Sequence, residues 1–366
     1  RFNLLAEGKQ LKLAYLKIYF WIACFLTITE LGLEVRAHQR GWDTMIFGLP
    51  VSEQSISQQK TSDSEYGPTA SFPFRSRVIP LERKPGNHRY WVASSSHAED
   101  IYLPPSMIFP NILERLLREE RDNAVVLNAS RAGIDIPENS NDLKRWGVQW
   151  KPDYVILYQM SLTISSIAKR RHSGPRGQVS SATNQMKKED GLVTWVNRLV
   201  ERTAIYANMK GQVSARIGAS RVLANDLGLQ GEEEFTSMLQ DFINTTRAIG
   251  SIPILTTFAT SHTRKQLAVF PNDIALGLFK YSSFLSVEGW VTSVERLNAA
   301  VRRVADQEGI MLIDLEDSLS GRPEFFRDFI HFTPSGHEVV ARTIKEALLK
   351  LDWEEPVLSA VKRSRG

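Results

Sequence analysis

Five short, almost continuous apolar runs alternate with segments of helical periodicity, and this alternation restricts the possible folds more than any other feature. The runs occupy 88–93, 124–129, 152–158, 252–257 and 310–315. Apolar residues recur at helical spacing in 109–121, 143–150, 235–249, 294–307 and the segment after residue 337. Strands without a polar face are typical of parallel sheets that helices cover on both sides. We therefore predict a three-layer α/β/α fold with a parallel sheet.

Polar residues that follow the predicted strands are the candidates for a functional site. Ser95, Gly133 and Gln159 come directly after a strand, and Asp328 lies farther beyond the last one. In open α/β sheets, active sites form at the carboxyl ends of the strands, where these loops begin. We expect the four residues to lie along one edge of the sheet.

The segment Asp328-Phe329-Ile330-His331 has the spacing of two members of a hydrolytic triad. A carboxylate three residues before a histidine can orient the imidazole, whose other nitrogen then activates a hydroxyl. Ser95 is the best-placed serine, with Ser94 and Ser96 as alternatives one residue to either side. The simpler alternative is that Asp328 is a turn residue and His331 a surface histidine.

Residues 11–33 form a mostly apolar stretch near the start of the sequence. A membrane-spanning helix needs roughly 20 such residues, and the lysines at 12 and 17 can extend toward the polar interface. No small-residue cleavage site follows, which favours an uncleaved anchor over a signal peptide. The alternative is a buried amphipathic helix. The distribution of basic residues favours a cytoplasmic N-terminus, which would place the remainder in the periplasm or outside the cell.

Composition divides the chain into four segments. We predict a membrane anchor at 1–40, a connector rich in Ser, Gln and Thr at 41–88, a globular domain at 89–352 and a polar tail at 353–366. The net charge of +4 is small, and the basic clusters 169–172 and 362–365 accompany no nucleic-acid motif, so no nucleic-acid partner is expected. The single cysteine, Cys24, excludes an intramolecular disulfide and a cysteine-based metal site.

Several stretches resemble sequence blocks of the SGNH (GDSL-type) esterase and lipase family. Residues 328–336 resemble its last block, Asp-x-x-His-hydrophobic-Thr-x-x-Gly; 128–133 resemble its second block; and 152–158 resemble the strand that leads to its third block. The similarity covers roughly residues 88–350. It implies a flavodoxin-like fold, in which Gly133 would be the glycine that binds an oxyanion.

The chain departs from the family pattern at two places. The first block, Gly-Asp-Ser or Gly-Gly-Ser in the family, is Ala93-Ser94-Ser95 here, without the glycine that eases the turn. The family's third block has an asparagine at the position of Leu162, and its amide supports the oxyanion. Loss of one such donor typically costs about 10²–10³ in turnover. Gln159 or Ser161 could replace it from a neighbouring position.

The resemblance implies a membrane-tethered serine esterase that needs no cofactor. Ser95 would attack the ester, His331 would act as base and then acid, and Asp328 would orient it. The Ser95 amide and Gly133, with Gln159, would bind the oxyanion. The implied partners are O-acyl, above all O-acetyl, esters of envelope carbohydrate, or lipid esters, together with the membrane that holds residues 11–33.

Three alternatives compete with this interpretation. The chain could be an O-acyltransferase, or a non-catalytic SGNH-like domain that binds glycan or protein. A metal-dependent hydrolase is the third, with His97, His331, His337 and Asp328 as ligands. It is disfavoured because no zinc-binding motif is present.

Overall fold

The computed structural model describes residues 2–39, 86–120, 123–172, 224–271 and 284–350, with shorter pieces between 72 and 84 and between 274 and 278. The chain divides into two compact units. One comprises residues 1–50 with 182–213, and the other comprises 51–181 with 214–366. Most of the predicted connector at 41–88 and all of the tail at 353–366 lie outside the described residues.

The described part of the first unit is a single long helix, α1 (Phe2–Gln39). Its segment Lys17–Arg36 has a mean hydropathy of 1.6 and only 6% of its most apolar window is buried, so by length and composition it could cross a membrane. A signal sequence near an N-terminus passes the same test. Large apolar side chains such as Tyr19, Trp21 and Phe25 are more than half exposed along it.

The second unit is built on a five-stranded parallel sheet. The strands are β1 (His88–Ser94), β2 (Ala124–Asn128), β3 (Tyr154–Tyr158), β4 (Ile252–Thr256) and β5 (Met311–Ile313), in the order β2-β1-β3-β4-β5. This is the strand order of flavodoxin-like folds. Every neighbouring pair is parallel. The predicted three-layer α/β/α fold is therefore confirmed.

Helices cover both faces of this sheet. They are α2 (Ser96–Glu99), α3 (Phe109–Glu120), α4 (Ile136–Asp142), α5 (Val148–Trp150), α6 (Ser161–His172), α7 (Gly228–Ala248), α8 (Val287–Glu308), α9 (Leu315–Leu319) and α10 (Pro334–Leu349). A π-helical segment, Leu143–Gly147, joins α4 to α5. Short 3₁₀ turns occupy Pro105–Met107, Arg264–Val269 and Pro323–Phe325.

The core lies between the sheet and these helices. Trp91 of β1 is buried, and in the sheet it lies opposite Leu127 of β2 and Val155 of β3. Burying each such large apolar side chain contributes roughly 1.5–3 kcal/mol relative to leaving it exposed. The sheet is apolar on both faces because both are covered, as the continuous apolar runs indicated.

Several element boundaries differ from those predicted. Helices α7 and α8 each begin seven residues earlier than the apolar periodicity suggested. For α8 the reason is that Ser286 caps the helix by accepting a hydrogen bond from the Gly289 N–H. Helix α6 begins at Ser161, where we expected a loop. The boundary at 89 is also too late, since the rings of Phe72 and Phe74 contact Trp91 within the core.

Candidate active site

Three consecutive serines, Ser94 to Ser96, lie where the central strand β1 ends, and of their hydroxyl groups that of Ser96 contacts His331. Ser94 closes the strand, buried, with its hydroxyl donating to the Tyr158 carbonyl at 2.5 Å. Ser95 is the N-cap residue of α2 and is also fully buried. Ser96, the first residue of α2, is partly exposed, and its Oγ lies 2.8 Å from Nε2 of His331.

The predicted contact between Ser95 and His331 is therefore wrong, and Ser96 makes it instead. The Ser95 hydroxyl has no hydrogen-bond partner within the described part of the chain. The error arose because β1 continues through Ser94, which pairs with Tyr158 at the end of β3. The chain turns into the helix one residue later than we placed the turn. The signal available in the sequence was the polar Ser94, which can end a strand as well as begin a loop.

Asp328 and His331 form the short-range pair that their spacing predicted. Oδ2 of Asp328 lies 2.7 Å from Nδ1 of His331. Oδ1 accepts the backbone N–H groups of Ile330 and His331 at 2.9 and 2.8 Å. Both carboxylate oxygens are thus engaged, which fixes the carboxylate and the ring in one orientation. The catalytic roles assigned to these two residues stay predictions.

The pair shifts the protonation equilibria of both residues. Burial alone would raise the pKa of Asp328, but the charge of His331 and the hydrogen bonds to the carboxylate outweigh it and lower the pKa to about 2. Burial would lower the pKa of His331, yet the charge and hydrogen bond of Asp328 prevail and raise it above its ordinary value. Opposite charges at hydrogen-bond distance favour both charged forms. The imidazole is therefore a stronger base than a free histidine.

The loop after β2 carries Gly133 and is tied to the helix that bears Ser96. Gly133 has φ +84°, a left-handed conformation that glycine adopts without steric cost. The neighbouring Ala132 N–H donates to the carboxylate of Glu99 in α2. The N–H groups of Ser96 and Gly133 have no acceptor among the described residues.

Gln159 lies beside the same loop rather than at its tip. It is buried, and its amide nitrogen donates to the backbone carbonyl of Ile134. One of its two N–H groups thus holds the Gly133 loop against the end of β3. Its predicted role as an oxyanion donor stays a prediction, and Leu162, at the position of the family's asparagine, lies within the first turn of α6.

His97, the residue after Ser96, packs its ring against the imidazole of His331. Its ring stacks on that of His331, with centroids 5.4 Å apart and planes 22° from parallel. Burial, reinforced by His331, lowers the pKa of His97 to about 3, so the ring is neutral. Its Nε2 is 3.0 Å from the hydroxyl of Ser161. Ser161 is thus engaged with His97, a pairing that no sequence pattern indicated.

The residues considered for a metal site are engaged elsewhere. His337 accepts the Phe109 N–H with Nδ1 and contacts Asp100 with Nε2, while His97 contacts Ser161. In the parts of the chain that the structure describes, no group of three or more His, Cys, Asp or Glu side chains is arranged to hold a metal ion. His331 contacts Ser96 and Asp328.

The glycine that ends the Asp-x-x-His block has a packing role. Thr333 caps α10 by accepting the Gly336 N–H at 3.2 Å. A Cβ at Gly336 would lie 2.2 Å from the carbonyl oxygen of Phe325. The backbone segments before and after His331 therefore approach each other at a point where only glycine fits.

Gly336→Ala is accordingly expected to destabilise the protein by about 1–3 kcal/mol, as overpacked substitutions do. Alanine normally stabilises a helix relative to glycine, so the steric clash reverses the usual sign. The effect is measured by urea unfolding of Gly336→Ala, with Ser335→Ala, at an exposed position of the same turn, as the control. An unfolding free energy equal to or above that of wild type would contradict the close approach.

Together these contacts form a hydrogen-bonded series from Asp328 through His331 to the hydroxyl of Ser96 at the carboxyl ends of the strands. A hydroxyl on a base that a carboxylate orients is a nucleophile for acyl groups. The N–H groups of Ser96 and Gly133, which have no acceptor among the described residues, are the candidates for receiving the oxygen of a tetrahedral intermediate.

Comparison with known proteins gives distant structural similarity only. No family model matches the chain, and no curated protein matches it. Among solved structures, a lipase/acylhydrolase from Enterococcus faecalis is 14% identical, with a TM-score of 0.43 over 74% of this chain and 100% of that one. A catalytic mutant of an acetylxylan esterase from Geobacillus stearothermophilus is 10% identical, with a TM-score of 0.43 over 74% and 97%. A lipolytic protein of the G-D-S-L family from Veillonella parvula is 11% identical, with a TM-score of 0.41 over 72% and 100%.

Proposed function

We propose that this protein is a serine ester hydrolase of the SGNH (GDSL) type, with Ser96 as its nucleophile. The observation that carries the proposal is the series of contacts from Asp328 to His331 and from His331 to Ser96, at 2.7 and 2.8 Å. The sequence blocks around Gly133 and Asp328 support the same assignment.

In the proposed reaction, Nε2 of His331 takes the proton of Ser96 as Oγ attacks the ester carbonyl. Asp328 holds the ring and stabilises the imidazolium that forms. The N–H groups of Ser96 and Gly133 bind the oxyanion. The imidazolium then gives its proton to the departing alkoxide, which leaves an acyl group on Ser96. Water, deprotonated by His331, releases the acid and restores the hydroxyl.

We propose O-acyl esters, above all O-acetyl esters, of envelope carbohydrate or lipid as the substrate class. The resemblance to the SGNH family supports an acyl donor of this kind. The apolar segment Lys17–Arg36 of α1 supports a membrane tether, with the hydrolase unit on the outer side of the membrane. If a sugar hydroxyl replaces water in the second half-reaction, the same site performs acyl transfer.

A non-catalytic binding role is the second candidate, and the region after β3 favours it. Helix α6 begins at Ser161, so the loop that carries the family's oxyanion asparagine is absent and Leu162 occupies its position. A binding domain would have no use for a base held against an accessible serine, which is the reason we place hydrolysis first.

The test uses the full chain, purified in detergent, with a fluorophosphonate probe, p-nitrophenyl acetate, an acetylated polysaccharide and a short-chain lipid ester. We expect the fluorophosphonate probe to label the protein, and the protein to release acid from the acetylated polysaccharide or from the lipid ester. Acetyl transfer to an added oligosaccharide without net hydrolysis would assign the transferase activity. Folded protein that neither labels nor turns over any ester would give precedence to the binding role.

The pH profile of hydrolysis should reflect the raised pKa of His331. The imidazole must be neutral to accept the Ser96 proton, so kcat/KM should fall as the pH drops through this pKa. Because the pKa lies above the ordinary value of 6.5, the acid limb should have its midpoint above pH 6.5. His88→Gln, at the opposite end of β1, should leave the midpoint unchanged. A midpoint at or below pH 6.5 in wild type would contradict the assignment of His331 as base.

A further inference from the structure

A buried carboxylate that the proposed reaction does not use lies immediately after the helix bearing Ser96. Asp100 has a fully buried side chain, and its Oδ2 contacts two groups, Nη2 of Arg327 at 2.5 Å and Nε2 of His337 at 3.1 Å. Its φ of 27° is unusual for a residue with a side chain. Such backbone conformations persist only where the surroundings over-determine them.

The two partners come from the segments that flank His331. Arg327 directly precedes Asp328, its side chain is 5% exposed, and its backbone N–H donates to the His331 carbonyl at 2.8 Å. His337 lies in the first turn of α10, and its Nδ1 accepts the Phe109 N–H at the start of α3. Since Nδ1 is an acceptor, neutral His337 carries its proton on Nε2 and donates it to Asp100.

The helix that bears Ser96 is too short to hold its own position. Helix α2 has four residues, and isolated helices of this length are unstable. Its C-terminal end is held from outside by the guanidinium of Arg75, which donates to the carbonyls of Glu99, Asp100 and Leu103 at 2.8, 2.6 and 2.5 Å. Side chains from distant segments therefore determine where Ser96 lies.

We propose that Asp100, Arg327 and His337 are positioning residues that hold the helix bearing Ser96 in register with the loop bearing Asp328 and His331. This inference rests on the proposed function, because it concerns the alignment of the same nucleophile and base. A buried ion pair is a poor source of net stability, since desolvation offsets its attraction, but it imposes one geometry on the segments it joins. A misplacement of about 1 Å in such a constellation costs about 10²-fold in rate.

The network also acts electrostatically on His331. The ionisable groups that face the imidazole are Asp328 and Arg327 from its own loop, His97 and Asp100 from the α2 segment, and His337 from α10. Among them Asp328 raises the pKa of His331 most strongly. The Asp100 charge also raises it, and the Arg327 charge lowers it. The two charges of the Asp100–Arg327 pair therefore shift the pKa of His331 in opposite directions.

The experiment compares Asp100→Asn and Arg327→Gln in the full chain. Glu114→Gln is the matched control, because it removes the charge of another buried carboxylate that pairs with an arginine, Arg77 at 2.6 Å. We expect fluorophosphonate labelling of Ser96 to slow by about 10²-fold in both test variants and by much less in the control. Thermal unfolding of all three shows whether each is folded at the assay temperature.

A second readout needs no catalysis. The pKa of His331 is measured by NMR titration of protein labelled at the imidazole Cε1 carbons, with His331→Gln used to assign its signal. Asp100→Asn should lower this pKa and Arg327→Gln should raise it, whereas Glu114→Gln should leave it in place. A role confined to stability would not produce shifts of opposite sign.

A conservative variant guards against loss of folding. Arg327→Lys keeps the charge without the planar fork, so it should leave the pKa of His331 near the wild-type value and label faster than Arg327→Gln. Labelling of the test variants as fast as that of the control, or a His331 pKa that neither variant moves, would overturn the proposal. If wild type itself fails to label, the proposed function fails, while the titration still decides whether Asp100 and Arg327 act on His331.

Discussion

Ser96→Ala should abolish fluorophosphonate labelling and reduce ester turnover by roughly 10⁶-fold, the loss typical of removing the nucleophile from a serine triad. The reason is geometric, because Ser96 is the serine whose Oγ lies 2.8 Å from Nε2 of His331. Labelling followed by peptide mass spectrometry identifies the modified residue directly.

Ser95→Ala is the matched control for this experiment. The Ser95 hydroxyl is buried and has no hydrogen-bond partner among the described residues. Removing an unsatisfied buried hydroxyl costs little and can stabilise a protein. We expect near wild-type labelling and an unfolding midpoint equal to or above that of wild type. A probe adduct on Ser95, or activity that survives Ser96→Ala and is lost in Ser95→Ala, would refute the assignment of the nucleophile.

Asp328→Asn is expected to lower kcat by roughly 10⁴-fold, because the amide cannot hold the imidazole in the tautomer that leaves Nε2 free to accept a proton. The Asn oxygen can still accept the N–H groups of Ile330 and His331, so the loop should keep its shape. Without the carboxylate, the pKa of His331 should also fall, which would move the acid limb of the pH profile to lower pH.

Steady-state kinetics over a pH series measures both effects of Asp328→Asn, with Asp317→Asn as an exposed carboxylate control. The stability contribution of Asp328 has a defined sign. Because its pKa falls from 3.8 to about 2 on folding, the contribution is present above pH 3.8 and is lost as the pH drops through 2. A variant with activity within tenfold of wild type would show that Asp328 does not orient the base.

The sequence was sufficient for the features that depend on local patterns. Continuous apolar runs predicted the parallel sheet, because strands covered on both faces need no polar side. The contact between Asp328 and His331 was predictable because the residues are three apart, so the backbone brings them together whatever the rest of the fold does. Helix α6 was missed because its first turn, from Ser161, carries weak apolar periodicity.

Features that depend on distant segments were beyond sequence reasoning. The end of β1 determines which serine faces His331. That end is set by Ser94, which pairs with Tyr158 of β3. The hydrogen bond between Arg327 and Asp100 joins residues 227 positions apart. No local spacing signals such a contact, and an aspartate after a short helix resembles an ordinary turn residue.

The central place of β1 has a consequence for the mobility of the site. This strand lies between β2 and β3, so its backbone is hydrogen-bonded along both edges. Strands paired on both sides exchange their amide hydrogens through openings that approach global unfolding. Ser96 thus lies two residues beyond the end of β1, one of the slowest-exchanging segments of the molecule. Local fluctuations that separate Ser96 from His331 must therefore arise outside this strand, either in the short helix α2, which Arg75 and Arg327 hold from outside, or in the segment between β5 and α10 that bears His331.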